Sequence, residues 1–433
     1  MARGAMTEDT RLVRSAPAAQ PAPVGRLQSL DGLRGCAAFV VLIHHAALLS
    51  PLWPGNAAPA AAPPFSFIWW ANETPLKLLS AGTEAVMVFF VLSGLVVTLP
   101  VLRPKPFDWI AYYPRRAVRL LAPVLGSVVL AAIWVMALPQ ISPQDEGTWL
   151  SSSSTPDFSW EWIVKAGDLF GGDGQINNPL WTLRWEMIFS LLLPVFVILA
   201  VVLARRWVLV TAAVVLLTWL GERVGASSLS YLPAFLLGAL LAVNLDRVRE
   251  LSTRLSGTAK GRATWAGIGV LGGLMLVGRW LASPVLDTVP ELEFLLRGLT
   301  PLAAMLIVLS VIGSTALRAF FSSPVPRFLG KISFSLYLVH APIVIFFFYA
   351  LQGRPLIVAQ VVGIVVSLIV GTLFWWAFEK RAHQWSISAG KVASARFSAY
   401  LGRGASTEPS GRSHDGSRPT GEQQNDDDRG SGS

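Results

Sequence analysis

The chain has 433 residues, of which 53% are apolar and only 14% charged, and its formal net charge is +9. Soluble domains carry about 25% charged residues, so this chain lacks the polar groups to cover its own surface. An ordinary cytosolic globular protein is excluded, and so are disordered, collagen-like and repeat chains.

A bilayer-spanning helix needs about 20 mostly apolar residues. Ten runs meet or approach that, at 35–52, 84–102, 117–138, 180–203, 207–221, 229–245, 263–281, 298–316, 332–351 and 356–378. Strand alternation is absent, and in lipid only helices or closed barrels satisfy the backbone. The expected fold is therefore an all-α integral membrane protein, a bundle of about ten transmembrane helices. Residues 27–385 form the membrane domain. Residues 1–26, rich in Ala, Pro and Arg, read as a disordered arm without the apolar stretch of a signal peptide. Residues 386–433, rich in Gly, Ser, Asp and Arg, read as a disordered tail.

Charge sets the orientation. The start carries Arg3, Arg11, Arg14, Arg26 and Arg34, and the even-numbered connections carry most other cations, among them Arg115, Arg116, Arg119, Arg205, Arg206, Arg247 and Arg249. The odd-numbered connections are poor in Lys and Arg. The third is acidic, with Asp145, Glu146, Asp157, Glu161, Asp168 and Asp173; the seventh has Asp287, Glu291 and Glu293. Both termini are expected in the cytoplasm, as an even number of spans also requires. The positive charge thus reports topology and not nucleic-acid binding. The single cysteine, Cys36, excludes an internal disulfide.

Ionisable groups inside spans are costly and mark function by default. In the first span, His45 lies eleven residues beyond Arg34. That spacing turns a helix only about 20° past three full turns and raises it about 16 Å. Arg34 and His45 share a face, with Arg34 at the cytoplasmic mouth and His45 near mid-membrane, while His44 points elsewhere. A snorkelling arginine and a packed histidine fit the same pattern. The fourth span places Glu186 about 10–12 Å deep from the outer side. At that depth it can orient His45 and stabilise its charged form; pairing with Arg184 or another cation is the alternative. Arg116 and Arg119, three apart on one helix face, suit phosphate groups, or simply the positive-inside rule and lipid headgroups. The third connection holds Trp149, Phe158, Trp160 and Trp162, suited to sugar stacking or to an interfacial belt.

Six short motifs occur in order. They are LDGLRG with its Arg-x10-His spacing (Arg34, His45), AVMVFFVLSG (85–94), RRAVRLLAP (115–123), NPLWTLRWEMIF (178–189), YLPAFLLGALLA (231–242) and FLGKISFSLYLVHAP (328–342), followed by Glu379. On these the chain resembles the acyltransferase-3 family of integral membrane acyltransferases over about residues 27–381. One departure is that Lys380, not proline, follows Glu379. The resemblance implies a ten-helix fold in the plasma membrane and O-acyl transfer from an acyl-CoA donor, acetyl-CoA by default. It implies an acceptor sugar hydroxyl, on a glycan, glycolipid or glycosylated metabolite, and no metal.

Within that reading Arg34, Arg116 and Arg119 bind the coenzyme A phosphates, and His45 is the general base, with Glu186 its orienting carboxylate; a transient acyl carrier is the alternative role for His45. Asn178, Ser93, Ser335 and Tyr337 are candidate oxyanion donors, and His340 is a second proton carrier. The rival reading is a proton-coupled transporter, which buried His, Glu and Arg also suit. A carrier has no need of a phosphate-binding arginine cluster beside a single buried histidine, and it releases no thiol.

Overall fold

The computed structural model describes residues 28–53, 63–140, 148–155, 159–168, 170, 176–286 and 288–405. Among these residues every regular element is helical. The main helices are α1 (Gln28–Ala47), α2 (Gly82–Thr98), α3 (Trp109–Ala137), α4 (Trp181–Leu191), α5 (Leu193–Val202), α6 (Trp207–Val224) and α7 (Ser227–Val243). They continue with α8 (Leu245–Ser256), α9 (Ala259–Leu276), α10 (Pro290–Gly298), α11 (Thr300–Gly313), α12 (Pro324–Ala350), α13 (Leu356–Phe374) and α14 (Lys380–Ala405).

Six stretches among the described residues are long and apolar enough to cross a bilayer, and eight if each of two bent pairs counts as one span. This is a multi-pass membrane protein, and the ten predicted runs all coincide with helical segments. The two runs outside the eight are α2, only 17 residues long, and α9, which takes Lys260 and Arg262 into its first turn. The N-terminal arm, acidic residues 145, 146, 157, 173 and 287, and residues beyond 405 lie outside the described residues.

Local chemistry explains the helix ends and bends. Asp108 caps α3 by accepting from the Ala111 amide at 2.9 Å, and this bond holds its carboxyl below the ordinary range. Along α3, Val124, Val128, Ala131 and Val135 are buried, while Leu125, Val129, Ile133 and Met136 are exposed. The first stripe meets the bundle and the second meets lipid. Between α4 and α5 the axis turns by 67°. Pro194 has no N–H to offer the Ser190 carbonyl, and the Tyr112 hydroxyl donates to that carbonyl instead, at 3.2 Å.

Two contacts bring backbones together without side chains between them. A Cβ on Gly35 would overlap the backbone of Gly330, and one on Gly330 would overlap the Asp31 carbonyl. Helices α1 and α12 therefore touch main chain to main chain. Gly94 and Gly238 do the same for α2 and α7. Around the second contact Phe235 stacks on Phe90 at 4.7 Å and on Phe189 at 4.4 Å.

The segment expected to be disordered from residue 386 is helical as far as Ala405. Helix α14 packs along α3, and Gly390 allows the approach, since a Cβ there would sit 2.8 Å from the Ala111 carbonyl. The Gly, Ser and Asp content that defines the polar tail is concentrated after residue 401. Residues 385–401 carry Trp385, Ile387, Val392, Phe397 and Tyr400, enough apolar surface to support a packed helix.

Candidate active site

A cavity of about 580 Å³ opens between α1, α2, α3, α4 and α12. Arg34, Arg103, Lys105, Arg115, Arg116 and Arg119 line it, against four acids: Asp31, Asp108, Glu186 and Glu379. Three predicted phosphate-binding arginines and the predicted acid thus meet in one chamber, and its lining carries an excess of positive charge.

Glu186 and Glu379 are both engaged with cations. The Arg116 guanidinium ion-pairs with Glu186, and its Nε donates to Ser190 Oγ at 2.9 Å. Ser93 Oγ donates to the same Glu186 oxygen at 2.5 Å. Glu186 therefore grips Arg116 and does not orient His45. Its pairing cation is Arg116 of α3; Arg184 instead sits with its guanidinium 5.5 Å from the Trp185 ring. The sequence marked Glu186 as an acid inside a span, but not the neighbour that occupies its side of the helix.

The second acid, Glu379, accepts from Ser335 Oγ at 2.5 Å and has Arg34 and Arg119 in electrostatic reach. It ends a π-helical turn, Trp375–Glu379, between α13 and α14. Such turns add a residue to the helical repeat and are frequent at functional sites. Arg119 also lies 3.2 Å from His383 Nδ1.

Tyr337 closes the inner end of the cavity. Its hydroxyl meets Thr182 Oγ1 at 2.7 Å, and its ring lies 5.9 Å from that of His340. His340 is fully buried, and its Nε2 is 3.0 Å from His45 Nδ1. His340 Nδ1 is 3.0 Å from the Leu336 carbonyl, and His45 Nδ1 is 3.0 Å from that of Val41. A carbonyl only accepts, so His340 carries its proton on Nδ1 and its Nε2 accepts. His45 Nδ1 then faces two acceptors and carries a proton too. Nε2 is then the ring's basic nitrogen, the atom a general base needs.

The glycine contact sets this pair. His45 stands ten residues past Gly35, and His340 ten residues past Gly330. Ten residues raise either helix about 15 Å, so two chains joined at their glycines carry their imidazoles to one level. Of the candidate oxyanion donors, Ser93, Ser335 and Tyr337 are committed to Glu186, Glu379 and Thr182. The Asn178 side chain reaches His45. His340 as the partner of His45 was missed by sequence reasoning; the matching offsets from GLRG and FLGK were the available signal.

A family model described as an acyltransferase domain matches residues 27–376. The O-acetyltransferase PaAT-1 of Phomopsis amygdali is 27% identical over 392 residues, covering 75% of this chain and 73% of that protein. The acyltransferase MdmB of Streptomyces mycarofaciens is 27% identical over 333 residues, covering 74% of this chain and 79% of its own length. No solved structure matches.

Proposed function

From the premise that this chain belongs to the acyltransferase domain family and is an O-acyltransferase, we propose that it moves an acetyl group from acetyl-CoA to a carbohydrate hydroxyl. It works as a ten-span protein of the plasma membrane with both termini in the cytoplasm. The observation that carries this reading is the cavity lined by six cations, whose inner end abuts the His340–His45 pair through Tyr337.

Coenzyme A is a polyphosphate with a long thin arm. Arg34, Arg115 and Arg119, with Arg103 and Lys105 nearer the mouth, meet the phosphates through charge-assisted hydrogen bonds. Arg116, already neutralised by Glu186, shapes the wall. The arm runs inward along α1 and α12 and brings the thioester to Tyr337 and the histidines. His45 Nε2 takes the proton of the acceptor hydroxyl as its oxygen attacks the thioester carbon. Asn178 donates to the developing oxyanion. The carbon–sulfur bond then breaks, and the imidazolium returns its proton to the leaving thiolate. His340 holds the His45 ring and its tautomer throughout. Acetyl is favoured because one relative is named an O-acetyltransferase.

The test is thiol release from acetyl-CoA by purified protein in vesicles, with and without a pool of glycosylated compounds from the host. Acceptor-dependent release, with mass gain of one acetyl group in the pool, is expected. Absence of release, together with failure to bind coenzyme A, would favour the carrier reading.

A further inference from the structure

A second cavity, of about 350 Å³, lies at the other end of the bundle. Its wall comes from the ends of spans that meet cation-poor connections: Glu84 opens α2, Glu222 closes α6, Arg279 follows α9 and Arg297 closes α10. By the positive-inside rule this end faces away from the arginine cluster. The histidine pair stands between the chambers. On one side Tyr337 lines the first cavity and touches His340. On the other, Trp149 lines the second, with its ring 5.1 Å from that of His45, and His44 lines it directly.

The lining is unusual in being charged yet balanced. Glu84 and Glu222 face Arg279 and Arg297. Behind them Glu293 binds Arg279 at 3.0 Å and Arg297 at 2.9 Å, and Arg297 binds Glu222 at 3.2 Å. Glu84 accepts from Trp280 Nε1 at 2.9 Å. The buried Lys77 ammonium sits 3.8 Å from the Trp280 ring centroid, bonded to Asn72 at 2.7 Å. Three carboxylates thus stand with three cations. Such a wall has no net charge with which to select an ion. It offers many fixed donors and acceptors, beside the aromatic faces of Trp149, Trp280 and Tyr231. Fixed polar groups next to aromatic faces suit an uncharged ring bearing many hydroxyls.

We propose that this second cavity is the acceptor site, that it opens on the membrane face opposite the arginine cluster, and that it takes a neutral glycoside. The assignment of its ligand as the acceptor rests on the O-acyltransferase reading; the side of its opening and its ligand class do not.

The experiment uses the full chain in oriented vesicles, with Cys36→Ala removing the native thiol. Thr83→Cys in the second cavity and Val96→Cys in the first are labelled with a membrane-impermeant maleimide, and coenzyme A protection of Val96→Cys reports a folded donor cavity. Should Thr83→Cys misfold, Thr300→Cys takes its place. Labelling from opposite faces is expected. A panel of neutral phenyl glycosides (gluco, galacto and rhamno) should slow the second-cavity reaction severalfold, and phenyl glucuronide should not. Glu222→Gln, which leaves one net positive charge, should reverse that preference. Labelling of both thiols from one face, no protection by any neutral glycoside, or equal protection by the glucuronide would overturn the proposal. Loss of thiol release by the wild type would instead count against acyl transfer and leave these arms readable.

Discussion

The glycine contact between α1 and α12 supports a quantitative prediction. A Cβ added at Gly35 would lie 2.7 Å from Gly330 Cα, and closer still to its nitrogen, where ordinary contact begins at 3.4 Å. Both sides are backbone, so no rotamer relieves the clash, and the helices must part by about 1 Å. Overpacking of this kind costs about 1–3 kcal/mol. The displacement acts on two helices that carry His45 and His340 at matched heights, and a 3.0 Å bond opened by about 1 Å is lost, which costs about 0.5–1.5 kcal/mol more. Gly35→Ala should therefore lower thermal stability in detergent and reduce turnover far more than it reduces coenzyme A binding. The control is Gly267→Ala on α9, where a Cβ meets nothing within 4 Å. Removing that helical glycine should stabilise by about 0.5–1 kcal/mol. Wild-type turnover and melting temperature in Gly35→Ala would refute the argument that main-chain contact sets the histidine pair.

Other outcomes follow from the first cavity and from Lys77. Arg34→Ala removes a charge-assisted phosphate contact worth about 1.5–3 kcal/mol, so donor KM should rise tenfold to about a hundredfold with kcat little changed; an unaltered KM would exclude Arg34 from the donor site. Glu186→Gln keeps the Ser93 bond but leaves Arg116 unpaired. Stability should fall by about 1–3 kcal/mol, the cost of a donor left unsatisfied, while the released guanidinium lowers donor KM, and no change in either would contradict the pairing. Burial pushes the Lys77 ammonium down to about 8, with Arg279 adding to the shift and Glu84 opposing it. Between pH 8 and the ordinary lysine range near 10.5, the unfolded chain holds a proton that the folded chain has lost. Stability therefore rises with pH across that window, by about 1.4 kcal/mol per unit. Lys77→Met should flatten that rise in melting temperature, and an identical pH slope in the variant would show that Lys77 does not titrate there.

What the sequence made legible was what depends on order along one helix. The apolar runs follow from composition, and the pairing of Arg116 with Arg119 on one side of a helix follows from the helical period. Contacts between helices were harder to read. The depth expected for Glu186 carries no information on which neighbour occupies its face, and Arg116 does. His340 looked like one buried histidine among several until Gly330 fixed its height against His45. The helical stretch 386–401 was hidden by averaging its composition with the polar residues after it. The second cavity gathers residues from eight separate elements, an arrangement without a local sequence signature.

The central claim is that His45 is the base of an acyl transfer. Its most direct test is turnover by His45→Ala in protein whose coenzyme A binding and melting temperature are first shown to be intact, with His340→Ala alongside. Loss of acceptor-dependent thiol release is expected in His45→Ala, and a partial loss in His340→Ala. Full turnover by His45→Ala would contradict the claim.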